Sequence, residues 1–426
     1  MPAFVRDTPQ AFVDGWREVG DIVRFRGIRE MCLLVHPDFV QHVLADRHDN
    51  YRRSETVTQA LSMLIGDSSF TARGVAWRRR ARLVHPLFTS SGIPSFSARV
   101  GAAIEAAARR WEPLADSGES FDLYDELRTT YVDAAGRLLV GELDADELER
   151  VRAAAVVANE YVIAKTMAVG GPPDIRLRPA YRRYLRAVAA LDSWLGAAIA
   201  ARAAEPQDDL LSALVAARAE DGSQLAPGEV RDEAMTFLHT VYAAVPAALM
   251  WFFALLSRHP VAREQLEAEL ATATAEQAPE PGVLPYLDSA TAETLRLYPP
   301  LWVFAQVPLA EDEIGGYRIP AGVSVVLSPF ITHRHPDFWE NAEDFQPERF
   351  AGQGAPQRHS YAYFPFSGGP RQCPAGDLAL AMIRAGAFGL GRRYRVEHDH
   401  GHEIKRRREF VLRPANGLPV SIERLT

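Results

Sequence analysis

The run from Pro227 to Arg258 sets the scale of what this chain can fold into. Pro227 suits a first helical turn, where its missing N–H costs nothing, and Pro260 ends the run. A helix of about thirty residues spans some 45 Å, the width of a domain. Its most apolar part, Ala243 to Leu256, is too short to cross a bilayer and reads as a buried core helix.

The pattern around it predicts a helical majority. Helical periodicity dominates from about residue 75 to residue 275, with examples at Val100–Trp111, Asp144–Ala158 and Pro179–Ala204. Loops are expected at Gly170–Pro173, Glu205–Asp208 and Pro279–Pro285. Strand-like alternation occupies Asp21–Arg26 and Met31–Val35, followed by a short helix carrying Phe39, Val43 and Leu44. Strands return at Tyr317 and Val323–Leu327, and two more fall within Arg408–Ile422. There is no internal repeat and no long linker. The expectation is one large domain, residues 1–426, mainly α with a smaller β-rich portion.

A net charge of −8 argues against non-specific nucleic-acid binding. With only Cys32 and Cys373, no disulfide framework is implied, and a reducing cytoplasm fits. The N-terminus has neither signal-peptide nor anchor character, and no run of about eighteen uninterrupted apolar residues predicts a membrane span. Lysine occurs only at Lys165 and Lys405 against many arginines and alanines, a habit of high-GC bacterial genomes.

Cys373 lies among Gly368, Gly369, Pro370, Pro374 and Gly376, directly before a helix-forming run, Asp377–Arg384. Glycines let backbone pass close to a flat ligand, and the positive end of a helix favours thiolate. Such a loop suits a soft metal bound through sulfur, and Arg371 suits a carboxylate of the same ligand. The plain alternative is a buried structural thiol. Upstream, Glu293 and Arg296 are spaced to pair on one helix face, and Arg349 follows in Pro347-Glu348-Arg349-Phe350.

Taken in order, Glu293-x-x-Arg296, Pro347–Phe350 and Phe366-x-x-Gly369-x-Arg371-x-Cys373 resemble the cytochrome P450 family of haem-thiolate proteins. The likeness covers essentially the whole chain. It implies haem b as cofactor, with Cys373 as the proximal thiolate, an electron-rich ligand that favours O–O cleavage. It further implies a buried triad of Glu293, Arg296 and Arg349 locking the loop, with Phe366 and Gly369 beside the thiolate. Arg371 and Trp77 would hold propionates. The cation expected four residues after Trp77 is Ala81, and Arg80 is the substitute; the alternative is a solvated basic face of Arg78, Arg79, Arg80 and Arg82 that docks an acidic electron donor. Another haem-contacting arginine of the family appears here as Gln306, and a loop glycine as Ala375.

The long helix departs furthest. Where the family places an acid and an alcohol, this chain has Ala243 and Ala244, with Pro246 close behind. Pro246 leaves the Tyr242 carbonyl without an amide donor and is expected to kink the helix. Thr240, Tyr242 and His239 are the candidates to replace the lost proton relay, the alternative for His239 being a side chain turned away. Phe70, Ala243, Ala244, Val303 and Phe304 are expected to line an apolar substrate pocket, although the stretch Leu301–Phe304 serves equally well as core.

The resemblance implies a monomeric bacterial monooxygenase acting on a hydrophobic small molecule such as a terpenoid or polyketide. A ferredoxin or flavodoxin would supply electrons, with no membrane or nucleic-acid partner. Two rivals are a haem-thiolate enzyme using peroxide or substrate-assisted protonation, and a non-catalytic haem-binding subunit.

Overall fold

The structure, a computed structural model, describes residues 8–26, 30–88, 93–166, 178–219, 221–274, 280–352, 358–405, 409 and 411–425. The Gly170–Pro173 loop, Pro279 and Arg408 lie outside the described residues.

The long helix forms over Pro227–Arg258 and starts where Glu229 accepts the Ala226 N–H at 2.9 Å. From Val230 on it is buried on nearly all sides, as an all-round apolar helix must be. Leu123–Val140, Glu55–Ile65, Pro285–Leu297 and Gly376–Gly391 pack against it. The helix runs unbroken through Pro246. Pro179–Ala204 forms as expected, while Val100–Trp111 extends to Ile93–Ser117 and Asp144–Ala158 becomes Ala145–Thr166.

A five-stranded sheet sits beside the helices in the order Ile22–Phe25, Met31–Leu34, Ser324–Leu327, Phe304–Pro308, Tyr51–Arg53. Only the pairing of Met31–Leu34 with Ser324–Leu327 is parallel among these. Alternation sorts its side chains. Leu33 and Val326 join Phe12, Val23 and Trp302 on one face; Cys32, Leu34, Val325 and Leu327 join Val43 and Ile314 on the other. Cys32 is therefore core, and burial pushes its thiol up to about 11. The C-terminal pair is realised as an isolated bridge, Leu301 to Val411, and the strand Pro419–Arg424.

Among the described residues, two helices are long and apolar enough on average to span a bilayer, though neither is an uninterrupted apolar run. In Pro227–Arg258, 89% of the most apolar window is buried inside the protein, against 22% in Pro179–Ala204. The first is thus a core helix; the second buries a stripe of Tyr184, Ala187, Leu191, Leu195 and Ile199.

Candidate active site

The long helix and Gly376–Gly391 enclose an apolar cavity into which Cys373 opens. The Cys373 N–H donates to the Phe366 carbonyl at 2.9 Å, closing the loop on itself, and the helix begins three residues later at Gly376. Burial pushes the thiol pKa up, while the Ala375 N–H and the Arg53 charge pull it down. A positive metal at the sulfur would add to that pull.

The loop is held from behind. Glu293 and Arg296 are fully buried and pair at 2.6 Å and 2.8 Å. Arg349 Nε lies 3.4 Å from Glu293, and its other nitrogen donates to Asn341 O at 2.8 Å. Arg296 also donates to the carbonyls of His333, Ala342 and Asp344. His333 completes the connection. Its Nδ1 donates to Arg296 O at 3.1 Å, and its Nε2 accepts the Phe364 N–H at 2.9 Å, at the root of the cysteine loop. Burial holds this imidazole neutral, with its pKa lowered to about 3. The triad thus reaches the loop through His333, which the sequence reading did not single out.

Gly369 does not line the cavity. It has φ +64, and a Cβ there would sit 1.9 Å from Leu44 O. It serves close packing behind the loop rather than contact in front. Phe366 does line the cavity.

Arg371 and Trp77 also line it. The Arg371 guanidinium stacks 4.0 Å over the Trp77 ring and donates twice to Ala72 O at 3.1 Å. Arg80 is turned elsewhere, to Glu229 and Asp67 at 3.2 Å each. The second cation at the cavity is Arg53, whose guanidinium lies 4.0 Å over Phe70 and donates to the Phe70 carbonyl. Arg53 pairs across the sheet with Gln306, so the charge absent from one strand is present on its neighbour. That cross-strand relation was the signal available in the sequence, but the three-residue strand bearing Arg53 is too short to recognise.

Neither Arg53 nor Arg371 has a carboxylate partner among the described residues. Burial lowers Arg53 to about 10; burial, Arg53 and Arg73 lower Arg371 to about 9. Two half-buried cations hydrogen-bonded only to carbonyls form a site for an anionic ligand. The donor set of one thiol, two guanidiniums and an apolar wall therefore fits a haem with its propionates.

The roof is sparser. Thr236, Thr240 and Ala244 lie on the cavity face of the long helix with Ala243. The Thr240 hydroxyl donates back to Thr236 O at 3.0 Å and Phe237 O at 3.1 Å, leaving its lone pairs toward the cavity. Tyr242 points away. Its hydroxyl meets Arg128 at 2.9 Å and Glu160 at 3.0 Å in a buried ion network, so it is no proton source for the cavity. His239 borders the cavity, but its Nδ1 is committed to Asn159 Oδ1 at 2.5 Å, and burial lowers it to about 4. Phe70 and Phe304 line the cavity; Val303 packs into the sheet cluster instead, and Leu301 and Val411 take its place.

The cytochrome P450 profile matches residues 5–420. The chain is 30% identical over 396 residues to cyclooctat-9-en-7-ol 5-monooxygenase of Streptomyces melanosporofaciens, covering 91% of this chain and 85% of that one. It is 28% identical over 379 residues to pentalenene oxygenase of Streptomyces avermitilis, covering 87% and 82%. The haem domain of cytochrome P450DA superposes with a TM-score of 0.87 at 21% identity over 98% of this chain and 93% of that one.

Proposed function

The chain belongs to the cytochrome P450 family, and from that premise we propose that it is a bacterial monooxygenase acting on a terpenoid intermediate of natural-product biosynthesis. The observation that carries the reading is the Cys373 thiol at the head of a helix, exposed to an apolar cavity beside two carboxylate-free cations. Support for the terpenoid class comes from the relatives named for cyclooctat-9-en-7-ol and pentalenene.

Haem b, when bound, supplies the oxygen-activating chemistry. The chain's own residues do the rest. Cys373 is the residue we assign as iron ligand; the Ala375 N–H and Arg53 oppose the burial that raises its pKa. Arg53, Arg371 and Trp77 are assigned to the propionates, and Phe366 packs beside the sulfur. Phe70, Leu301, Phe304 and Val411 exclude water and orient an apolar substrate. Thr240 is the remaining hydroxyl assigned to hold a proton-bearing water.

Electrons come from a separate ferredoxin or flavodoxin, for which the exposed Arg78 and Arg82 offer a positive face. We read the protein as one cytoplasmic domain, residues 1–426, monomeric and not inserted in a membrane. In support, strands from residues 22–53 and 304–327 share one sheet, and the long helix is core.

A second reading, peroxide-driven or substrate-assisted turnover, is favoured by Ala243 and Ala244 standing where an acid and alcohol are expected. One experiment separates the two. Pentalenene and other terpene probes are supplied with ferredoxin and its reductase, or with peroxide, and products are followed by mass spectrometry. Ferredoxin-driven product supports the first reading; product from peroxide alone supports the second. A Cys373→Ala protein that keeps the thiolate band in its reduced carbon-monoxide spectrum would sink both.

A further inference from the structure

Glu233 is the single carboxyl among the cavity-lining residues. It stands two turns before Thr240 on the long helix, and positions 233, 236, 240 and 244 share the cavity face. The residue is 4% exposed, yet it has no ion pair among the described residues. Its partners belong to one residue: the Ser69 N–H donates to Oε1 at 2.6 Å, and Oε2 meets Ser69 Oγ at 2.7 Å. Nearby Arg80 is engaged by Glu229 and Asp67.

That arrangement has a chemical consequence. Burial raises the Glu233 pKa against the pull of Ser69 and Arg80, so the carboxyl holds a proton more readily than an exposed one. The Ser69 N–H already fills one oxygen. Oε2 and Ser69 Oγ keep lone pairs beyond the bond that joins them, and both residues line the cavity, where these oxygens can accept a hydrogen bond. A mere latch between loop and helix has no need of this, because Asp232 already accepts the Asp67 N–H at 2.9 Å.

We propose that Glu233 and Ser69 form a hydroxyl-recognition point, and that the substrate is an already oxygenated hydrocarbon, an alcohol rather than its parent. Acceptor oxygens in an apolar wall match a group that can donate, as a hydroxyl does. A hydrocarbon would leave them without a partner, the situation in which a site rejects the analogue lacking the group. The reaction supplying the substrate is then a hydroxylation, or a carbocation cyclisation ended by water. The inference rests on reading the cavity as that of a haem-thiolate monooxygenase and narrows its substrate class.

The test uses the haem-loaded protein and two matched pairs of probes, cedrol with cedrane and 1-adamantanol with adamantane. Affinities are read from the spin-state shift of the Soret band and by calorimetry, without turnover. Comparing wild type with Glu233→Leu cancels the difference in hydrophobicity within each pair. For at least one pair, the preference for the alcohol is expected to fall about tenfold in Glu233→Leu, the worth of one hydrogen bond. Glu233→Gln, which keeps a donor and an acceptor, should retain part of it. Should Glu233→Leu not fold, Ser69→Ala reads the same bond from the other side. An alcohol preference unchanged across wild type, Glu233→Leu and Ser69→Ala overturns the proposal. A thiolate-type carbon-monoxide spectrum in the same samples shows that the family reading stands regardless.

Discussion

The cysteine loop and the long helix face one cavity, but they are supported differently. Behind the loop, Glu293, Arg296, Arg349 and His333 form an unbroken chain of buried contacts ending at Phe364. Over the cavity, the helix presents Ala243, Ala244 and a threonine whose hydroxyl bonds to its own backbone. Tyr242 spends its hydroxyl on the far side of that helix. One wall is built to fix an atom; the other leaves room. Such a division suits an enzyme whose ligand geometry tolerates no play, while substrate shape governs what happens above it.

The largest expected effect comes from breaking the clamp. Glu293→Ala strands two guanidiniums in the interior and should cost about 3–5 kcal/mol. Urea melts and haem content check it, and wild-type stability would mean the loop holds itself. Next is the cradle. Arg53→Ala removes one of two cations and should weaken haem retention by about 10–100-fold, since a hydrogen bond to a charged group contributes about 1.5–3 kcal/mol. The readout is haem transfer to apomyoglobin, and an unchanged rate would leave Arg371 as the working cation.

Acid should also loosen the clamp. His333 has its folded pKa lowered to about 3, below the ordinary value near 6.5. The unfolded chain therefore takes up the proton first. Stability from this group is fully present above about pH 6.5 and is lost as pH falls toward 3, at about 1.4 kcal/mol per pH unit. Melts at pH 7 and pH 5 should show the slope, and His333→Gln should flatten it. A slope unchanged in that variant assigns it to other buried histidines such as His239. The smallest effect sharpens the roof. Tyr242→Phe should cost about 1 kcal/mol of stability while leaving turnover intact. A fall in turnover at unchanged stability would return Tyr242 to the proton path.

The pattern of hits and misses has a physical origin. Pro227, Pro179 and the glycines near Cys373 are punctuation, and helices and loop begin where they predict. Direction is harder. A helix apolar all round carries no stripe to tell which side Tyr242 or Ala243 faces. Arg80 follows Arg79 in a basic run, and only the position of Glu229 and Asp67 draws it away from the cavity. For Val303 and Phe304, strand alternation separates the two, but nothing local says which face is cavity. Nothing local marks Glu233 as cavity-lining; its partner Ser69 is far away in sequence and meets it only in the fold.

The sheet carries one last consequence. Met31–Leu34 pairs in parallel with Ser324–Leu327, and the strand bearing Arg53 joins through Phe304–Pro308. A ribosome therefore delivers that guanidinium early and the Cys373 thiol late. During most of translation the nascent chain owns half a cradle. Contacts this distant in sequence form slowly and leave apolar surface open meanwhile. Cofactor supply during expression should then matter most late in synthesis, when the Cys373 loop emerges after Ser324–Leu327 has completed the sheet and both halves first meet.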